Sequence, residues 1–146
     1  MKFVADTVLF HASMLNDRRR TSSYLASIRD VVKPGDIVVD IGTGTGILAI
    51  AAVHAGARHV YAIEEARIAR VARALFEANG MTDPITLIRG RSTEVRLPQR
   101  ADVLICELIG RARDRHNKRC FEEAAQTGRA SGAQWAQNIR PPGHYT

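Results

Sequence analysis

The residues best suited to chemistry lie in one short segment, residues 38–46. It reads Val-Val-Asp-Ile-Gly-Thr-Gly-Thr-Gly, so an acid, Asp40, stands just before a glycine-rich run. Three glycines at alternate positions follow: Gly42, Gly44 and Gly46. Glycine adopts backbone conformations closed to other residues and has no Cβ to block a close ligand. A second acid, Glu64, ends the next apolar run, so two carboxylates are expected to flank the glycine turn.

The residues around this segment predict a strand, a tight turn and a helix. Residues 37–41 are mostly β-branched and apolar, which favours a strand buried on both faces of a parallel sheet. The apolar stretch 47–53 predicts a helix whose free N–H groups and positive end point into the turn. Such a unit is the usual start of a nucleotide-cofactor site at the carboxyl edge of a doubly wound sheet.

The glycine spacing distinguishes between kinds of cofactor. A dinucleotide fingerprint requires a glycine where this chain has Ile47, and a P-loop requires a lysine that does not follow these glycines. The pattern Asp-x-Gly-x-Gly-x-Gly with a later acid resembles the class I S-adenosylmethionine-dependent methyltransferases. A glycine-rich turn of no chemical consequence is the alternative.

Two further motifs make the resemblance more specific. Residues 11–21 contain His-x-x-Met-Leu-x-Asp-x-x-Arg-Thr, which is similar to the N-terminal signature of the protein arginine methyltransferases. Residues 106–110, Cys-Glu-Leu-Ile-Gly, resemble the start of that family's double-glutamate hairpin. The motifs occur in the family's order over residues 7–110.

The resemblance implies a role for each matching residue toward S-adenosyl-L-methionine. Arg20 would hold the methionine carboxylate, because a planar guanidinium suits a bidentate contact. The alternative is that residues 18–20 are simply a solvated charged run, which is the interpretation we favour for Arg18 and Arg19. Asp40 would organise the glycine turn and accept from the cofactor's amino group directly or through water. Glu64 would accept both ribose hydroxyls, with a solvated strand-end acid as its alternative.

The remaining implied contacts lie at the two ends of the cofactor. His11 and Met14 would line its sulfonium end, although ordinary packing residues are the alternative. Ser92 and Thr93 match the segment that meets the adenine ring, where a backbone N–H would recognise a ring nitrogen. Glu107 is the implied catalytic residue, which would clasp an arginine guanidinium. The family's second glutamate is expected nine residues later, where this chain has His116.

The order of elements predicts an α/β fold with a Rossmann-like parallel sheet in the order 3-2-1-4. Strands are expected at residues 37–41, 58–63, 85–88 and 102–106, and the sheet is incomplete relative to the seven-stranded methyltransferase fold. A helix capped near Ser22 or Ser23 is expected before the first strand. The fourth strand would be an apolar edge, open to self-association.

Composition changes after residue 110. Residues 1–110 hold 14 Lys or Arg and 12 Asp or Glu, whereas residues 111–146 hold 7 and 3, so most of the net charge of +6 lies in the second part. That part contains Ile139 alone from the set Val, Ile, Leu and Met, and helical character is expected only at residues 119–126. We therefore expect a cofactor-binding domain at residues 1–110 and a basic, poorly ordered tail at 111–146, with a truncated or frame-altered end as one interpretation.

Composition also bears on location and partners. Two cysteines, Cys106 and Cys120, make no disulfide framework, which favours a reducing cytoplasm, and no apolar run approaches the roughly 20 residues of a membrane span. Nucleic acid is a poorly supported partner, because no aromatic residues are interleaved with the arginines. The expected partner is a protein or peptide substrate with arginine.

Three functions remain open at this point. The first is transfer of a methyl group to a guanidinium nitrogen, and the second is a cofactor-binding remnant without turnover. The third is a basic interaction protein. The sequence leaves the methyl acceptor open, with small-molecule and ribosomal-protein methylation as alternatives. Cofactor affinity separates the third function from the others, and turnover separates the first two.

Overall fold

The structure, a computed structural model, describes residues 2–92, 94–106 and 129–131. These residues form four α-helices and five β-strands. The helices are α1 (Lys2–Asn16), α2 (Arg18–Val31), α3 (Ile47–His54) and α4 (Ala69–Ala78). The strands are β1 (Ile37–Ile41), β2 (His59–Glu64), β3 (Ile85–Arg89), β4 (Val103–Cys106) and β5 (Arg129–Ser131).

The strands form one parallel sheet in the order β3-β2-β1-β4-β5. The predicted order 3-2-1-4 is confirmed, and β1 is buried along its whole length as its apolar sequence predicts. Because side chains alternate along a strand, each strand contributes to both faces of the sheet. One face packs against α2, α3 and α4. The other face buries a second apolar cluster, against which Val95 and Leu97 pack.

The fifth strand corrects one expectation. In β5, Ala130 pairs with Leu104 of β4, so β4 has a hydrogen-bonded neighbour on both sides. The expectation that β4 forms an open apolar edge is therefore wrong, since β5 occupies that side of it; self-association stays a prediction. Residues 129–131 carry no strand signal, because a three-residue strand is too short to show a period of two. The helix expected at residues 119–126 lies outside the described residues.

The start of α2 corrects a second expectation. The helix begins at Arg18 and not after Ser22 or Ser23, because Asp17 is its N-cap and accepts a hydrogen bond from the Arg20 N–H at 3.0 Å. Asp is as good an N-cap as Ser, so the sequence offered several starts of similar free energy. The earlier start places Arg20 in the first turn of α2, with α1 immediately before it.

The termini of β1, β2 and β3 form the part of the sheet that matters for a site. Their carboxyl ends lie side by side, since Ile41 pairs with Ile63 and Glu64 pairs with Arg89. The turn between β1 and α3 starts from this edge. Among the described residues no helix has the length and apolar character needed to cross a membrane.

Candidate functional site

Asp40 and Glu64 lie on the same face of the sheet, at its carboxyl edge. Asp40 of β1 pairs with Ala62 of β2, and Glu64 follows Ala62 by two residues. Residues two apart on a strand point to the same side, so both carboxylates face α3. Both are buried, with 1% of Asp40 and 9% of Glu64 exposed. Two buried acids near a glycine turn require hydrogen-bond donors or a positive group nearby.

The glycine turn is tied to β2 by its backbone. The N–H groups of Gly42 and Thr43 both donate to the Ile63 carbonyl, at 2.9 and 3.1 Å, and the Gly46 N–H donates to the Thr43 carbonyl at 2.8 Å. All three glycines have positive φ angles: 70° at Gly42, 57° at Gly44 and 86° at Gly46. This is the left-handed region that other residues enter at a cost, which explains the glycines at alternate positions.

Glu64 connects two turns of the site. Its Oε2 accepts the Gly44 N–H at 3.0 Å, and its Oε1 accepts the Ala66 N–H at 2.8 Å. A carboxylate has about four lone-pair sites, so each oxygen retains capacity for one more donor. The carboxylate can therefore hold the glycine turn and still accept two hydroxyl groups of a ligand. Its exposed neighbour Glu65 instead pairs with Arg91 at 3.0 Å.

The carboxyl group of Asp40 interacts with other groups of the protein at the glycine turn. Thr43 Oγ1 donates to Asp40 Oδ2 at 2.6 Å, and the backbone N–H of Ala49 is near enough to lower the pKa of the same carboxyl group. Ala49 is the third residue of α3, and the N-cap of α3 is Gly46, which has no side chain to accept from that N–H. Asp40 thus presents from β1 an acceptor to the start of α3, where Gly46 has no side chain to do so. Its expected role of organising the turn stays a prediction, which these contacts favour.

Burial controls the charge of Asp40. Desolvation raises the pKa of this carboxyl group, the Thr43 hydrogen bond lowers it, and the nearby Glu64 raises it, so that it lies at about 7. A positive group arriving at the site would favour the ionised form. Direct contact with a ligand is limited, since the side chain is almost fully enclosed.

Helix α1 brings His11 to the glycine turn. A Cβ added to Gly44 would lie 2.9 Å from Cε1 and 3.1 Å from Nδ1 of His11, so the imidazole packs directly on this glycine. Met14 is one turn further along α1 and is half-buried. The structure thus places His11 at the predicted site.

Arg20 lies at the junction of α1 and α2. Its Nη1 donates to the Met14 carbonyl at 3.5 Å, and its guanidinium lies 5.4 Å from the ring centroid of Tyr24. Tyr24 belongs to the core, whereas Arg18 and Arg19 are exposed, as predicted. The side chain of Arg20 is thus held between two helices and differs in environment from its neighbours.

The segment after β3 completes the described part of the site. The Gly90 N–H donates to the Glu64 carbonyl at 3.3 Å, which places the start of this segment beside the end of β2. Ser92 follows two residues later and is half-buried. Thr93 and Glu107 lie outside the described residues, so their predicted roles remain predictions.

Sequence reasoning missed Thr43. Its hydroxyl contacts Asp40 and its side chain is 6% exposed. The signal that could have revealed it is the spacing of three residues between an acid and a hydroxyl across a turn, a common local hydrogen-bond pattern. Among the described residues no cluster of His, Cys, Asp and Glu is arranged to hold a metal ion. The site offers acceptors and a shaped turn, and is suited to binding a ligand that carries hydroxyls and positive charge.

This chain matches both the sequence profile of a protein family and individual known proteins. Residues 18–130 match the sequence profile of the family "Ribosomal protein L11 methyltransferase (PrmA)". A protein from Arabidopsis thaliana named "Probable histone-arginine methyltransferase 1.3" is 42% identical over 106 residues, which are 70% of this chain and 20% of that protein. The chain thus spans about a fifth of the length of this curated relative.

Solved structures show the same fold. Protein arginine methyltransferase 10 of Arabidopsis thaliana superposes with a TM-score of 0.64 at 41% identity, over 68% of this chain and 29% of that one. The Trypanosoma brucei PRMT1 enzyme–prozyme complex with AdoHcy superposes with a TM-score of 0.65 at 37% identity, over 67% of this chain and 32% of that one.

Proposed function

Because this chain belongs to the S-adenosylmethionine-dependent methyltransferases, in the family of the PrmA profile, we propose that it binds S-adenosylmethionine at the glycine turn and takes part in protein arginine methylation. The observation that carries the proposal is the position of Glu64. Its carboxylate reaches across the sheet edge to Gly44 and keeps one acceptor site on each oxygen.

The described residues fit this cofactor. Two vicinal ribose hydroxyls can donate to the two oxygens of Glu64, which a single-acceptor side chain could not match. The glycines let a ligand approach the backbone, and the first turn of α3 points N–H groups toward the same space. Both carboxylates favour a ligand with positive charge, and S-adenosylmethionine carries a sulfonium and an ammonium group.

The reaction requires mainly positioning from the protein. When bound, the cofactor supplies an electrophilic methyl group on sulfur, and transfer is an in-line displacement by an electron-rich atom. We propose a guanidinium nitrogen of arginine as the acceptor, supported by the arginine methyltransferases among the relatives. Glu107, the residue after β4, would hold the guanidinium through charge-assisted hydrogen bonds.

Calorimetric titration with S-adenosylhomocysteine tests the cofactor assignment. In Glu64→Ala, two charge-assisted hydrogen bonds of about 1.5–3 kcal/mol each are lost, so affinity should fall at least about tenfold. Glu65→Ala is the matched control, because Glu65 is the adjacent acid but is exposed and paired with Arg91, and it should bind like the wild type. Absence of binding to a folded wild-type chain would refute the proposal, and equal affinity in Glu64→Ala would refute the ribose assignment.

A further inference from the structure

Thr43 connects three elements around the glycine turn. Its hydroxyl donates to Asp40 of β1 at 2.6 Å, its N–H donates to Ile63 of β2 at 3.1 Å, and its carbonyl accepts from Gly46 at the start of α3 at 2.8 Å. The side chain is buried, so the hydroxyl has little access to water. Removing it would leave one oxygen of a buried carboxylate without this donor.

Few groups near Asp40 could replace the Thr43 hydroxyl as a hydrogen-bond donor. At the same register the neighbouring strands place Ala62 and Ile105 beside it, both in the apolar core. Glu64 on β2 is the charged group that acts on Asp40, and its effect is repulsive. Helix α3 presents the Ala49 N–H, α1 brings His11 only as far as Gly44, and Cys106 of β4 belongs to the cluster on the opposite face.

We propose that Thr43 is a positioning residue for cofactor binding: its hydroxyl holds the Asp40 carboxylate against the first turn of α3 and so sets the shape of the turn on which the cofactor lies. This inference rests on the proposed function. Without the hydroxyl, Asp40 binds a proton at higher pH, because the donor that stabilises its ionised form is gone. A protonated Asp40 is a weaker acceptor for Ala49 and no longer attracts a positive ligand.

The test is the pH dependence of S-adenosylhomocysteine affinity, measured by calorimetry between pH 5.5 and 9 in the full chain. Wild-type affinity should fall as the pH drops below about 7, where Asp40 becomes protonated. Thr43→Val keeps the β-branched shape and removes the hydroxyl donor. The midpoint of the pH dependence of affinity should therefore rise by about one pH unit, equivalent to about 1.4 kcal/mol. Thr43→Ser keeps a hydroxyl and should keep the wild-type midpoint.

Thr45→Val is a matched control. Thr45 is in the same turn and about as buried, but its side chain makes no hydrogen bond to Asp40. The pH midpoint of S-adenosylhomocysteine affinity in Thr45→Val should equal that of the wild type, even if the affinity itself changes. If Thr43→Val does not fold, Thr43→Cys provides a weaker donor and should give a smaller shift in the same direction.

The outcomes are distinguishable. A folded wild type that binds no S-adenosylhomocysteine at any pH overturns the proposed function and this role with it. A second outcome is that the wild type binds and Thr43→Val binds more weakly at every pH, with the same pH midpoint of affinity. That result overturns the role of Thr43 alone and makes it a space-filling residue. An upward shift in Thr43→Val, absent from Thr43→Ser and Thr45→Val, supports the inference.

Discussion

At the scale of single residues, the site depends on two buried carboxylates with different partners. Glu64 accepts from backbone N–H groups in two turns, whereas Asp40 accepts from a hydroxyl and from the start of α3. Their proximity raises the pKa of Asp40 beyond the effect of burial. The protein thus keeps in its interior an acid that is costly to ionise without a ligand.

This cost predicts a pH dependence of stability. Because the pKa of Asp40 rises from 3.8 to about 7 on folding, the folded chain binds a proton between these values that the unfolded chain does not. The contribution of Asp40 protonation to the free energy of unfolding is therefore fully present below about pH 4. It is lost as the pH rises to about 7, at up to about 1.4 kcal/mol per pH unit. In Asp40→Asn this contribution is absent, so the variant should gain stability relative to the wild type as the pH rises.

Urea unfolding of both proteins at pH 5 and pH 8 measures the difference. Asp83→Asn removes an exposed acid between α4 and β3 and should follow the wild type at both values. Parallel pH profiles for the wild type and Asp40→Asn would contradict the assignment of a raised pKa to this residue.

The sequence was sufficient to locate both acids but not to describe what they do. Asp40 lies near the end of an apolar run, two residues before Gly42, and Glu64 ends the next apolar run, with strand, turn and helix signals in order between them. Thr43 has no comparable signal, because threonine is frequent in turns and its partner depends on a side-chain rotamer. The two backbone N–H groups bound by Glu64 carry no sequence information at all.

At the scale of secondary-structure elements, the glycine turn sets how closely α3 and α4 pack. A Cβ on Gly46 would lie 2.4 Å from Cε1 of Phe76, a buried ring of α4. Gly46 is therefore required for its left-handed backbone and also for the space that the ring occupies. The turn that we propose as the cofactor site therefore contacts the core through Gly46.

Alanine substitutions at Gly46 and Gly80 separate the requirement for a left-handed backbone from the requirement for space beside Phe76. Gly80→Ala has the same left-handed strain, at a φ of +64°, but a Cβ there meets nothing within 4 Å, so it should cost about 1–2 kcal/mol. Gly46→Ala should cost about 1–3 kcal/mol more, because Phe76 must move. Phe76→Leu should recover part of the extra loss in the Gly46→Ala background. Urea unfolding measures these free energies, and equal costs at the two glycines would contradict the close packing.

Helix boundaries show where local sequence signals are insufficient. Asp17, Ser22 and Ser23 are all good N-caps, and the structure uses Asp17, whose side chain accepts from the Arg20 N–H. Local cap preference alone therefore does not distinguish the three starts. Strand β5 likewise pairs with β4 although its three residues have no strand pattern.

At the scale of the whole molecule, the chain corresponds to part of a larger architecture. It covers 20% of a curated relative and about a third of the solved arginine methyltransferases. The described residues contain the glycine turn that we propose as the cofactor side of the site. In the proposed function the acceptor side would depend on Glu107, with His116 at the position where the family resemblance expects a second glutamate.

We expect this chain to bind the cofactor but to methylate a glycine–arginine-rich peptide hardly above background. A guanidinium held by one carboxylate can rotate, and a misplacement of about 1 Å can lower the rate about a hundredfold. Incubation with radiolabelled S-adenosylmethionine measures this, with Glu107→Gln as the matched control. Clear labelling that disappears in Glu107→Gln would contradict the expectation and show that the 146-residue chain is a working enzyme.

The central claim is that the turn held by Glu64 is the cofactor site. Hydrogen–deuterium exchange of the full chain, with and without S-adenosylhomocysteine, tests it most directly because exchange is read segment by segment. Exchange should slow at residues 42–49 and 64–66, where the backbone N–H groups of the turn and of Glu64's partners lie, and in Glu64→Ala the same slowing should need at least about tenfold more ligand. Unchanged exchange in these two segments at saturating ligand would contradict the claim.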